Sequence, residues 1–123
     1  MSISADILRG HTDTIILSHL LRGDSYGYEI NKTVASRTGG QYDFKEATLY
    51  TAFKRLEQAG YITSYWGEEG PGARRRYYSI TEAGRKYQAE SLQQWKNTRA
   101  LLDALINIEA VSYTHLRAHE TDS

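Results

Sequence analysis

At Gly60 the apolar periodicity of the chain changes from that of a helix to that of a strand, and no other feature narrows the fold as much. Before it, Leu49, Ala52, Phe53, Leu56 and Ala59 recur at spacings of three and four, the stripe of an amphipathic helix, and the glycine stands where a left-handed C-terminal residue is wanted. After it, Tyr61 to Trp66 and Arg74 to Ile80 are short runs rich in Tyr, Ile, Thr and Trp. Between them Gly67-Glu-Glu-Gly-Pro-Gly72 reads as a hairpin loop by composition. Thr81 then offers an N-cap, with Glu82 in the first turn to meet the helix dipole. From there a long helix is expected to about Ile108, with Tyr87, Ser91 or Leu92, Trp95, Leu102, Leu105 and Ile106 along one side.

Upstream, Ile7, Leu8, Ile15, Ile16, Leu17, Leu20 and Leu21 suit a helix from Ser4 to about Leu21, broken near Gly10 and stopped by Gly23. Ser25 is the expected N-cap of a second helix, in which Tyr26, Ile30 and Val34 recur at i, i+4 and i+8 and which ends before Gly39-Gly40. The order predicts a mainly α chain with a small β-hairpin (α+β): a winged helix-turn-helix domain over residues 1–80, then a long C-terminal dimerisation helix over 81–110. A lone amphipathic helix cannot bury its stripe on itself, so Leu92, Trp95, Leu102, Leu105 and Ile106 ask for a partner surface. The first helix of the same chain could supply it. A homodimer is the preferred reading, because a core this small with a half-exposed helix attached is otherwise marginal.

Composition excludes several classes of function. With 15 Lys+Arg against 15 Asp+Glu in 123 residues, net charge advertises no polyanionic partner. The absence of cysteine removes disulfides, thiolate zinc sites and cysteine nucleophiles, in keeping with a reducing cytoplasm. No apolar run is long enough for a bilayer, and the start of the chain lacks the pattern of a secretory signal, so a cytoplasmic protein without a membrane partner is expected. No phosphate-cradling loop, nucleophile elbow or carboxylate pair is present, so neither an enzyme nor a bound cofactor is expected. Of the 4 histidines, His115 and His119 stand at i and i+4 with Glu120 adjacent, half of a metal site without an obvious third ligand. The stretch from Val111 to Thr121 resembles a translated sequencing-library adapter, read through in frame. Residues 111–123 are therefore set aside from functional reasoning, and no metal site is assigned.

Nucleic-acid binding remains. The helix before Gly60 presents Thr48, Tyr50, Thr51, Lys54 and Arg55 away from its apolar stripe, a mixture of hydroxyls and cations suited to phosphate oxygens and base edges. The ribbon that follows resumes at Arg74-Arg75-Arg76, where strand alternation puts Arg75 on the face opposite Arg74 and Arg76. A winged helix serving as a protein-interaction module without an operator is the alternative; the basic wing and hydroxyl-rich helix speak against it.

The segments Lys45 to Gly60, Ser64 to Gly67, Gly72 to Gly84 and Tyr26-Gly27-Tyr28-Glu29-Ile30 closely resemble the PadR family of transcriptional regulators, over about residues 4–108. That resemblance implies a homodimeric repressor that binds a pseudo-palindromic, double-stranded DNA operator and is relieved by a ligand. It gives Thr48, Tyr50, Thr51, Lys54 and Arg55 the recognition-helix role and Arg74, Arg75 and Arg76 the wing. The chain is most similar to the short multidrug-responsive branch, which implies a small planar aromatic effector stacked at the dimer interface on Trp95. Ile7, Gly10, Thr14 and Thr98 match positions that line such a pore. Arg99 departs from the branch's acidic residue, and a cation there favours neutral or anionic aromatics over cationic dyes.

Overall fold

The computed structural model describes residues 2–68 and 74–107, with side chains from residue 5 onward. The elements run α1 (Ser2–Arg9), α2 (Thr12–Leu20), α3 (Gly27–Arg37), α4 (Glu46–Gln58), β1 (Ile62–Trp66), β2 (Arg76–Ile80) and α5 (Glu82–Ile106). The fold is therefore mostly helical, with one two-stranded antiparallel hairpin and a long final helix, the winged helix-turn-helix arrangement expected from the sequence. The first helix is interrupted at Gly10-His11, and α4 ends in a Schellman motif. There Gly60 (φ +84°) donates to the Glu57 carbonyl and Tyr61 to that of Leu56, each at 3.0 Å, which turns the chain directly into β1.

One compact unit runs from the start of the chain to Ala89, and a second begins at Glu90. The core of the first comprises Ile16, Leu17 and Leu20 of α2, Ile30 of α3, Phe44 of the turn that follows, Leu49, Ala52, Phe53 and Leu56 of α4, Ile62 of β1 and Tyr78 of β2. Phe53 stacks on Tyr78 at 3.9 Å between ring centroids, fastening the hairpin to α4. The turn between α3 and α4 is wired by side chains. Asn31 donates to the Phe44 carbonyl (2.8 Å) and accepts from its N–H (2.7 Å), while the Thr38 hydroxyl accepts from the Tyr42 N–H (3.1 Å). These bonds satisfy backbone groups that a turn would leave open, and they fix the angle at which α4 leaves.

The hairpin pairs Ile62 with Ile80, Ser64 with Tyr78 and Trp66 with Arg76. The expected capping role of Ser25 is corrected: the N-cap of α3 is Tyr26, without a side-chain cap bond. Ser25 instead forms a β-bridge to the free edge of β2, donating to the Tyr78 carbonyl at 3.2 Å and accepting from its N–H at 2.7 Å. Its hydroxyl is committed to Glu29 Oε1 (2.5 Å), so it is not free to cap. Thr81 does cap α5, its hydroxyl accepting from the Gly84 N–H at 3.0 Å. The start of α5 is seated by Tyr87 stacking on Tyr61 (4.4 Å) and by buried Gln88, whose Nε2 donates to Ser18 Oγ at 3.0 Å.

Of the expected hairpin loop Gly67–Gly72, residues 69–72 lie outside the described residues, as do Ile108 and everything said of 111–123, His115 and His119 included. Among the described residues no helix is long and apolar enough to cross a membrane, and no group of three or more His, Cys, Asp or Glu could hold a metal ion.

Candidate nucleic-acid interface

The buried stripe of α4, Leu49, Ala52, Phe53 and Leu56, determines what the helix turns outward. At about 100° per residue the opposite face is centred on Ala47, Thr51, Lys54 and Gln58, all exposed. Thr48 and Arg55 lie on one flank of that face and Tyr50 on the other. Thr48 is half-buried. Tyr50 is exposed but sits edge-on to Phe53 (5.4 Å), with its hydroxyl against Gly27 at the start of α3. The Arg55 guanidinium grips Asp13 of α2 with two nitrogens, Nε to Oδ2 at 3.1 Å and a second bond to Oδ1. That hydrogen bond raises the Arg55 pKa, so its charge is both permanent and already partnered. The residues expected from the sequence thus divide: Thr51 and Lys54 present exposed polar tips at the centre of the face, and Arg55 ties α4 to α2.

Register decides the wing. Ser64, Trp66, Arg76 and Tyr78 share the hairpin face that Tyr78 presses onto Phe53, so this face belongs with α4. On it Arg76 donates to Ser64 Oγ (2.8 Å), and Ser64 donates to Glu57 Oε2 of α4 (2.7 Å). The guanidinium carbons of Arg74 and Arg76 lie 5.4 and 5.3 Å from the Trp66 ring. Arg75 points to the other face, over Tyr26 at 4.7 Å. There Tyr26 meets Tyr77 edge-on (5.3 Å), Tyr77 stacks on Tyr65 (5.6 Å), and Tyr65 donates to Asp24 (2.6 Å), a bond that raises the Tyr65 pKa.

Behind the interface, Ser25 gives its one proton to Glu29, so its oxygen accepts from His19 Nε2 at 3.2 Å. Burial lowers the His19 pKa, with Arg22 and Arg37 acting in the same direction and Glu29 opposing them. Neutral His19 is therefore protonated on Nε2. The sequence reading missed Trp66, Tyr26, Ser64, Glu57 and Asp13. Cross-strand register could have placed Trp66 beside Arg76; no local signal announces the other pairings.

The candidate ligand residues fall in both units. In the first, Ile7 is exposed on α1, Gly10 donates to the carbonyls of Asp6 and Ile7 (3.1 Å each), and Thr14 is half-buried on α2. In the second, Trp95, Thr98 and Arg99 follow one another on exposed turns of α5. Leu92 and Trp95 are 37% and 38% exposed, while Leu102, Leu105 and Ile106 reach 44%, 69% and 76%.

Residues 16–90 match the family profile described as the transcriptional regulator PadR-like family. The chain belongs to that family. An uncharacterised Lysinibacillus sphaericus protein is 42% identical over 101 residues, covering 82% of this chain and 93% of its own. A solved transcriptional regulator from Clostridium thermocellum is 50% identical with a TM-score of 0.74, covering 80% of this chain and 93% of that one. Bacillus subtilis PadR, solved in complex with operator DNA, is 25% identical with a TM-score of 0.59 over 65% of this chain and 45% of that one. The protein is thus a PadR-family transcriptional regulator, and PadR-family regulators are DNA-binding proteins without enzymatic activity.

Proposed function

We propose that this PadR-family chain is a cytoplasmic, homodimeric repressor that binds a pseudo-palindromic operator and is released by a small planar aromatic molecule. The observation that carries the DNA-binding half is the outward row Thr51 and Lys54 on α4, followed by arginines on the hairpin face that packs against the same helix. A hydroxyl and a cation one turn apart suit a base edge and a phosphate, and the small Ala47 one turn earlier lets the helix approach the groove floor. Two copies would place their α4 helices in successive major grooves, about 34 Å apart. That a Bacillus subtilis relative was solved in complex with operator DNA supports DNA binding.

Dimerisation and ligand response rest on α5. Leu92, Trp95, Arg99, Leu102 and Ile106 follow the alternating three- and four-residue spacing of a helix–helix seam, with exposed apolar side chains that a second copy would cover. Trp95 offers the flat surface on which an aromatic ligand stacks, with Ile7, Gly10, Thr14 and Thr98 as further lining. Arg99 interrupts the seam with a charge that a neutral or anionic ligand accommodates and a cationic one does not.

The test is gel retardation with duplex DNA from upstream of the gene. Lys54→Glu should abolish retention while the dimer, followed by light scattering, persists; a variant that still binds overturns the recognition-helix assignment. Lys54 is the cleaner site for charge reversal, because Arg55→Glu would set two carboxylates against each other at Asp13 and disturb the α2–α4 packing itself.

A further inference from the structure

Three consecutive arginines invite the assumption that they act alike, and the hairpin geometry argues otherwise. Arg74 and Arg76 lie near one ring, Trp66, on the face shared with α4, and Arg76 is further held through Ser64 to Glu57. Arg75 emerges on the opposite face and lies over Tyr26, the residue that caps α3. From Tyr26 an unbroken row runs through Tyr77 and Tyr65 to Asp24, in the segment between α2 and α3. One side of the ribbon therefore carries two cations beside the recognition helix, and the other carries a brace to the chain ahead of α3.

We infer that the wing arginines divide two and one: Arg74 and Arg76 are the phosphate-binding pair, Trp66 is the positioning residue that holds them for DNA, and Arg75 is a structural strut that leaves DNA untouched. This rests on the DNA-binding reading above and refines it. The physical reason lies in the rotamer freedom of arginine. A long side chain on an exposed ribbon loses entropy when it is immobilised on DNA, and a guanidinium already beside an indole has lost part of it beforehand. A half-exposed Trp66 keeps one edge of the pair open to a polyanion. The tyrosine row on the far face holds Arg75 on the side of the ribbon away from α4.

The salt dependence of binding separates a phosphate-binding cation from a strut, because counterions are released only from phosphates that the protein neutralises. Affinity of the full-length protein for a fluorescein-labelled random-sequence duplex is measured by anisotropy across a salt series, with a thermal melt for every variant. Arg74→Gln and Arg76→Gln should each flatten the slope of log K against log salt by about 0.9 per protomer. Arg75→Gln should leave the slope at the wild-type value and lower the melting temperature. Trp66→Leu should keep both cations, and so the slope, yet weaken binding about two- to fivefold at every salt concentration, with Trp66→Phe restoring most of the affinity. A slope flattened by Arg75→Gln as much as by the other two overturns the division, and unchanged affinity in Trp66→Leu overturns the positioning role. A wild-type protein with no salt-dependent affinity for duplex DNA overturns instead the DNA-binding reading on which both depend.

Discussion

Along one face of α5, Gly84 and Gln88 are buried, whereas Leu92, Trp95, Leu102 and Ile106, which continue that face at helical spacing, are exposed. The covered stretch is made of the smallest residue and a polar one, and the uncovered stretch of large apolar ones. What lies opposite each position accounts for the difference. At Gly84 the Tyr61 carbonyl is so close that a Cβ would stand 2.1 Å from its oxygen, so only hydrogen fits; at Gln88 the neighbour is a hydroxyl, so an amide fits. Farther along, the side chains are those that a helix presents to another helix. A folded chain rarely leaves a stripe of that size to water, which is why the proposed dimer has its seam here.

The comparison breaks most sharply at Gly84. Gly84→Val puts a branched side chain against the Tyr61 carbonyl and Ile80, neither of which is the free end of a flexible group. The expected cost is about 3 kcal/mol or more, read as a lower urea midpoint for the whole protein. An unchanged midpoint would mean that the start of α5 does not sit against Tyr61 and Ile80.

At the exposed end the prediction has a different form. Leu102→Glu should leave the melt of the dilute protein nearly as it is, because Leu102 contributes little to its own subunit's core, and should weaken self-association by about 2 kcal/mol, the transfer energy of one buried leucine. Sedimentation at several concentrations reads that shift. If the variant associates as the wild type does, the stripe faces something other than a second copy.

How much of this was legible in sequence follows from how local each signal is. The stripe of α4, the left-handed Gly60, the change of period after it and the cap at Thr81 are written within a few residues of where they act, and the structure contains all four. Ser25 carries the chemistry of an N-cap, but its backbone pairs with Tyr78 and its hydroxyl with Glu29, and the first of those partners is distant in sequence. Arg55 reads as an outward cation until Asp13, 42 residues earlier, is seen to hold it. The alternation of the three arginines could be read from strand geometry; that Trp66 receives two of them and Tyr26 the third depends on register and on the path of the chain before α3.

The smallest expected effect is one of pH, and it separates the two ends of α5 by chemistry. His19 is half-buried beside Ser25, and that partial burial holds its pKa below the ordinary 6.5, so the unfolded chain takes up a proton more readily than the folded one. Stability contributed by neutral His19 is complete above pH 6.5 and is lost as pH falls from there through the folded-state value. Urea midpoints of the wild type should therefore drop on acidification from neutral, and those of His19→Gln, whose amide can still donate to Ser25, should drop less. The sequence of α5 from Glu82 to Ile106 contains no histidine, the side chain that ordinarily changes charge in this range. Self-association should accordingly stay constant over the range in which the first unit weakens. An association constant that followed the His19 titration would mean that the exposed stripe is covered by a surface that senses the α2–α3 junction.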